Sequence, residues 1–201
     1  MKRMLLAPLC AVALLAGTAS CTSNGDSVEQ AQKTNEARHE NATANTEMGD
    51  LKQDKKDFDS DFMTEAASGG MLEVELGRLV AQRGATPEGK QFGQQMVDDH
   101  TKANEELKSI AAQKNITLPA TLGEDHREVL DDVTDEKGAD MDKKYLKEMV
   151  KDHEEDVKAY TEASVRANDP DIKAFAAKTV PTLKEHLSMA QRMLAAVEQR
   201  K

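Results

Sequence analysis

The chain has 201 residues, and its 27 Lys+Arg against 37 Asp+Glu give a net charge of −10. Acidity on this scale repels nucleic acid and anionic lipid surfaces, so nucleic-acid partners are excluded. Aromatic residues make up 3%, tryptophan is absent and methionine numbers ten, so a core must come from Leu, Val, Ala and Met, an inventory that suits packed helices better than sheets.

The first stretch in chain order is a leader rather than part of a fold. "MKRMLLAPLCAVALLAGTASC" places Lys2 and Arg3 before an apolar run from Leu5 to Ala16, then small residues up to Cys21. That is the pattern of a secretory signal, too short to be a comfortable membrane span. Its end resembles the bacterial lipobox, after which the cysteine is lipidated and begins the mature chain, although Thr18 stands where that motif carries a leucine-like residue. On this reading residues 1–20 are a signal peptide, and Cys21 carries the lipid that holds the protein to a membrane. The location is then the cell envelope, in the periplasm and on the outer membrane. Cys10 leaves with the signal, so no disulfide can form in the oxidising compartment. Loss of Lys2 and Arg3 takes the net charge from −10 to −12. The alternative is an ordinary cleaved signal that leaves Cys21 as a free thiol.

Residues 21–57 follow, almost free of large apolar side chains and rich in Asn, Thr, Glu, Gln and Lys. Such a segment buries too little surface to offset its ordering, and it reads as a flexible tether. Residues 58–201 remain for one folded domain, enough for a single core and not two.

In that domain four segments keep a 3.6-residue apolar period, which predicts helices over about 60–84, 87–114, 139–167 and 170–199. The second and fourth open alike, on "TPEGKQF" and "DPDIKAF". Each has a capping side chain (Thr86, Asp169), a proline at the first helical position (Pro87, Pro170) and an acid next, so the four helices read as two similar hairpins. Between them "NITLPATLGEDHREVLDDVTDEKG" forms a long connection with a short helix around Val129, Leu130 and Val133. A single long crossover in the middle is the ferritin-like arrangement of an all-α four-helix bundle. Pro181 falls inside the last helix, where it costs a hydrogen bond and bends the helix near Ala177.

On each helix one ionisable group falls on the apolar stripe. Wheel positions put Glu73 with Phe62, Ala66, Leu76 and Val80, and His100 at the edge of the stripe of Phe92, Met96, Ala103, Leu107 and Ile110. His153 shares a face with Tyr145, Met149 and Tyr160, with Asp156 on its other margin; His186 lies on the inner side of the stripe of Ile172, Thr179, Leu183, Ala190 and Val197. All four sit near the middle of their helices and so at one level of an antiparallel bundle. Lys147, Lys151, Lys158, Lys178 and Lys184 point away, so the partners open to Glu73 are the histidines or something the histidines hold. Two readings stand side by side. One is a polar layer that gives register to a loosely specified core. The other is a metal site of three neutral imidazoles and a carboxylate, Glu73, His100, His153 and His186, suited to iron, manganese or zinc.

Other histidines and their neighbours are read more plainly. Glu36-Ala37-Arg38-His39 has the Glu-x-x-His spacing of di-iron bundles but lies in the tether, and His126 sits solvated in the crossover. Met96 and Met149, one turn before His100 and His153, are core residues; thioether ligation of copper is the lesser alternative. Asp99 and Asp152 diverge from their sequence neighbours, yet each can reach a histidine on the next helix as an acceptor.

Four motifs in order, "AASGGMLEVELGRLVAQ", "FGQQMVDDHTKANEEL", "YLKEMVKDHEEDV" and "VPTLKEHLSMA", stand behind the lipoprotein-like leader. Over residues 58–197 they resemble the domain of unknown function 4142, a family of bacterial outer-membrane or periplasmic proteins grouped with ferritin-like folds. The resemblance implies a ferritin-like bundle in the cell envelope and carries no established activity. Its recurrent positions match Glu73, His100, His153 and His186. Without paired Glu-x-x-His motifs, a standard di-iron ferroxidase does not follow. The expectation is therefore a lipid-anchored bundle that binds a metal ion at mid-bundle. The alternatives are a structural or interaction module serving envelope stress responses, and a metal-dependent oxidase or peroxide scavenger. Neither a protein partner nor an oligomeric state can be read from the residues.

Overall fold

The computed structural model describes residues 25–43 and 49–199. The leader, Cys21 and the expected lipid therefore fall outside the described residues. Six helices follow in order: α1 (Ser27–Thr43), α2 (Gly49–Arg83), α3 (Pro87–Lys114), α4 (Glu124–Thr134), α5 (Gly138–Arg166) and α6 (Pro170–Gln199). The four long predicted helices are α2, α3, α5 and α6, and the short helix of the crossover is α4. Among the described residues there is no strand, and no helix is long and apolar enough to cross a membrane.

Local chemistry accounts for the helix starts. Thr86 Oγ1 accepts from the Gly89 amide at 3.0 Å. Asp169 Oδ1 accepts from those of Asp171 and Ile172 at 2.9 and 3.3 Å. Both caps stand immediately before a proline, whose missing N–H costs nothing at the first helical position. Helix α3 ends on Asn115 in the left-handed region (φ 57°), a stop that asparagine tolerates.

Helices α2 and α3 form one antiparallel hairpin and α5 and α6 the other. The hairpins meet through α2 against α5 and α3 against α6, while α4 packs on α2 and α5. The first hairpin is tight because Gly77 and Gly93 face each other. A Cβ on either would come within 2.7 Å of the other's carbonyl oxygen, so only glycine permits this approach. Each hairpin also braces the other's turn. Asp59 of α2 accepts from the backbone N–H of Asn168 and Asp169, both at 2.8 Å. Asp142 of α5 accepts from those of Ala85 and Thr86 at 3.0 to 3.2 Å.

Apolar packing falls into two clusters along the bundle. One contains Phe62, Met63, Leu107, Tyr160, Phe175 and Leu183. The other contains Leu76, Phe92, Met96, Tyr145, Met149 and Ala190. On α3, α5 and α6 the two clusters are separated by His100, His153 and His186, and on α2 the changeover falls between Ala67 and Met71, shortly before Glu73. The buried core is therefore two apolar halves with a polar layer between them.

The tether expectation is corrected over Ser27–Thr43, which forms α1 and lies along α2. Its first turn is capped by Asp26, whose carboxylate accepts from the Val28 amide at 2.9 Å. Val28, Ala31 and Asn35 are its buried face. Asn35 docks by pairing with the Thr117 backbone, donating to its carbonyl at 3.0 Å and accepting from its N–H at 2.8 Å. The segment is held mainly by polar complementarity, which apolar content does not register. Helix α2 likewise begins at Gly49, some ten residues before the predicted start, because a polar run gives no apolar period to read.

Candidate metal centre

The four inward groups meet in the layer between the two apolar clusters. Glu73 is 1% exposed, His100 5%, and His153 and His186 are fully enclosed. The five lysines predicted to point away are all exposed. Ring nitrogens of His100, His153 and His186 lie within 4.8 Å of one another, and the ring centroids are 5.2 to 5.5 Å apart. Three histidines from three helices thus converge at one height.

One half of the layer satisfies itself. His100 Nδ1 lies 2.5 Å from Glu73 Oε2, His100 Nε2 lies 3.2 Å from His186 Nδ1, and His186 Nε2 lies 3.1 Å from Asp99 Oδ2. Burial lowers His100 to a pKa of about 4. Burial, followed by the charges of the other two histidines, does the same to His186. Both imidazoles are then neutral at pH 7 and supply two protons to three hydrogen bonds. The third comes from Glu73, whose carboxyl burial pushes well above its usual range, helped by the charge of Asp152. Glu73 therefore donates to His100, His100 to His186, and His186 to the half-buried Asp99.

The other half is left open. Glu73 Oε1, Asp152 Oδ2 and both ring nitrogens of His153 are buried without a hydrogen-bond partner among the described residues. His153 Nε2 approaches Glu73 Oε1 to 3.5 Å and its Nδ1 approaches Asp152 Oδ2 to 3.3 Å, close enough to attract but out of hydrogen-bond geometry. Each such group costs about 1–3 kcal/mol if nothing satisfies it. These atoms are the donors that a divalent cation takes, deprotonated oxygens and imidazole nitrogens. Glu73, Asp152 and His153 also each offer one such atom within 4.8 Å of the others. The buried His/Glu/Asp groups could hold a metal ion.

Asp99 reaches a histidine on the next helix as expected, but Asp152 does not. It stays beside its own neighbour His153 and joins the layer as a potential ligand, a role that the i,i+1 divergence concealed. Asp156 is a further carboxylate at this level. Burial raises it well above the usual range, followed by the charges of Glu73 and Asp152. A signal for it was present: Glu73 lies fourteen residues beyond the brace Asp59, and Asp156 fourteen beyond the brace Asp142.

The remaining residues take lesser places. His126 is half-buried rather than solvated, because α4 packs on α2 and sets its Nδ1 2.7 Å from Ser68 Oγ. Ser68 Oγ already accepts from the Gly123 amide at 2.9 Å, so its hydroxyl is free to donate to the ring. His39 of the Glu-x-x-His spacing lies on α1 and faces Asp57 at 2.6 Å; it has no part in the layer. Met96 and Met149 are fully buried among apolar neighbours, as core methionines are.

A family model described as "Domain of unknown function (DUF4142)" matches residues 43–193. No curated protein matches the chain, and no solved structure does.

Proposed function

The chain belongs to this family of unknown function, and from that premise we propose that it is a cell-envelope lipoprotein whose ferritin-like domain binds a divalent metal ion in the layer of Glu73, His100, His153 and His186. The observation that carries this reading is the convergence of ring nitrogens from His100, His153 and His186 within 4.8 Å, with both nitrogens of His153 buried and unpartnered among the described residues. Among the described residues no lysine or arginine pairs with the adjoining Glu73 or Asp152, and a buried unpaired carboxylate is costly enough to call for a cation. Imidazole nitrogens with one carboxylate suit iron, manganese or zinc. The bound ion would replace the proton of Glu73 and supply Lewis acidity or, if iron or manganese, a redox centre. The residues' own part is to hold it in a dry, fixed geometry. Metal analysis of purified protein offered each of these metals in turn tests the reading. At least one ion per chain is expected, and the count should fall by one in His100→Ala. Background metal in both would leave the polar-layer alternative.

The envelope location rests on the leader and Cys21. Radiolabelled palmitate is expected to enter the wild-type protein in bacterial cells and not Cys21→Ser. Equal labelling of the two, or none in either, would remove the lipid anchor from the proposal.

A further inference from the structure

Asp152, at the open edge of the layer, also lines a cleft of about 900 Å³ formed by α4 together with α2 and α5. Ten carboxylates face this cleft, against one lysine, Lys151. Acidic walls alone are ordinary solvated surface, but here they lead to buried atoms that lack partners. Asp152 Oδ2 meets His153 Nδ1 at 3.3 Å, and His153, fully enclosed, has no hydrogen bond at either nitrogen. On its other side stands Glu73 Oε1, the oxygen that the His100 contact leaves unused. Three ligand-type atoms within 4.8 Å, one of them on a residue that opens to an acidic cleft, make a cation site with its own access.

We propose that a second divalent cation binds where this cleft meets the layer, on Glu73, Asp152 and His153, apart from the ion held by the three histidines. Glu73 turns Oε1 toward this position while its Oε2 stays on His100, and His153 would serve both ions by releasing its ring proton to solvent as an imidazolate, so the two ions would be neighbours. Two carboxylates and one imidazole form a harder donor set than three imidazoles, so this position favours manganese or iron(II) over zinc. The acidic walls concentrate cations at its mouth.

This inference rests on the metal-binding reading for the first ion and is separable from it. Full-length protein is titrated with Co²⁺, whose d–d spectrum reports both positions, and bound metal is counted after dialysis. Two equivalents are expected for the wild type. Asp152→Asn should retain one, bound by the histidines, and His186→Ala should retain the other, with helical circular dichroism unchanged in both. A single equivalent that survives Asp152→Asn overturns the second site and leaves the histidine site standing. A single equivalent lost in Asp152→Asn but kept in His186→Ala overturns the histidine site instead. One equivalent lost in both variants means one shared site and overturns the proposal, and no Co²⁺ in the wild type overturns both readings.

Discussion

Metal-free full-length protein, given Zn²⁺ or Mn²⁺ at a hundredfold excess over its dissociation constant, is expected to melt about 5–10 °C higher than without it. A ligand that binds only the folded state at that concentration adds about 2.7 kcal/mol, and each kcal/mol moves the midpoint of a chain this long by about 2–4 °C. The unfolded chain cannot compete, because Glu73, His100, His153 and His186 come from four different helices and converge only on folding. His153→Ala is the decisive variant. His153 belongs to both groups of converging ligand atoms, and its removal should abolish the metal-dependent shift while leaving a helical, foldable chain. A thermal scan in which metal moves neither protein, or moves both equally, would assign the layer to register alone.

The second large effect is a reversal of rank at Glu73. In metal-free protein Glu73→Gln keeps the shape and can still donate to His100 Nδ1, as the protonated carboxyl does. The folded-state pKa of Glu73 is raised by burial, so its contribution to stability is fully present below the unfolded value and is lost as pH rises through the folded one. Wild type and Glu73→Gln should therefore be about equally stable near pH 4, and Glu73→Gln should gain on the wild type as pH climbs toward 9. The histidines act in the opposite sense. His100 and His186 are lowered to about 4, so their contribution is present above pH 6.5 and is lost as pH falls toward 4. Because they titrate similarly in both proteins, the comparison isolates Glu73. Saturating metal should invert the order at pH 8, the wild type then being more stable by about 2 kcal/mol or more, since a neutral amide is a poor substitute for a carboxylate ligand. Urea unfolding with and without metal measures this. A Glu73→Gln deficit that is the same in both conditions would show that no cation depends on the carboxylate.

Much of this molecule is legible in its sequence. Apolar period and cap chemistry located α3 and α6 and most of α5, because Thr86–Pro87 and Asp169–Pro170 act on the backbone within a turn of themselves. The same period placed Glu73, His100, His153 and His186 inside, since a helix turns each side chain by a fixed angle. What lay beyond it depended on contacts between distant segments. Helix α1 is fastened by Asn35 to the backbone of Thr117, eighty-two residues away, and a polar residue in a polar run shows no periodicity. His126 leaves solvent only because α4 settles on α2 beside Ser68.

The sequence by itself determined an acidic, all-helical chain with one ionisable group on each apolar face, because composition and helical pitch are local properties. Only the tertiary structure decided how those groups share their protons and which stay unsatisfied. The His100–His186–Asp99 chain closes on itself, while Asp152 completes an open triad with Glu73 and His153. That division depends on sub-ångström differences between contacts of 2.5 to 3.5 Å and on burial from every side, which arise when four helices pack and which no single helix carries.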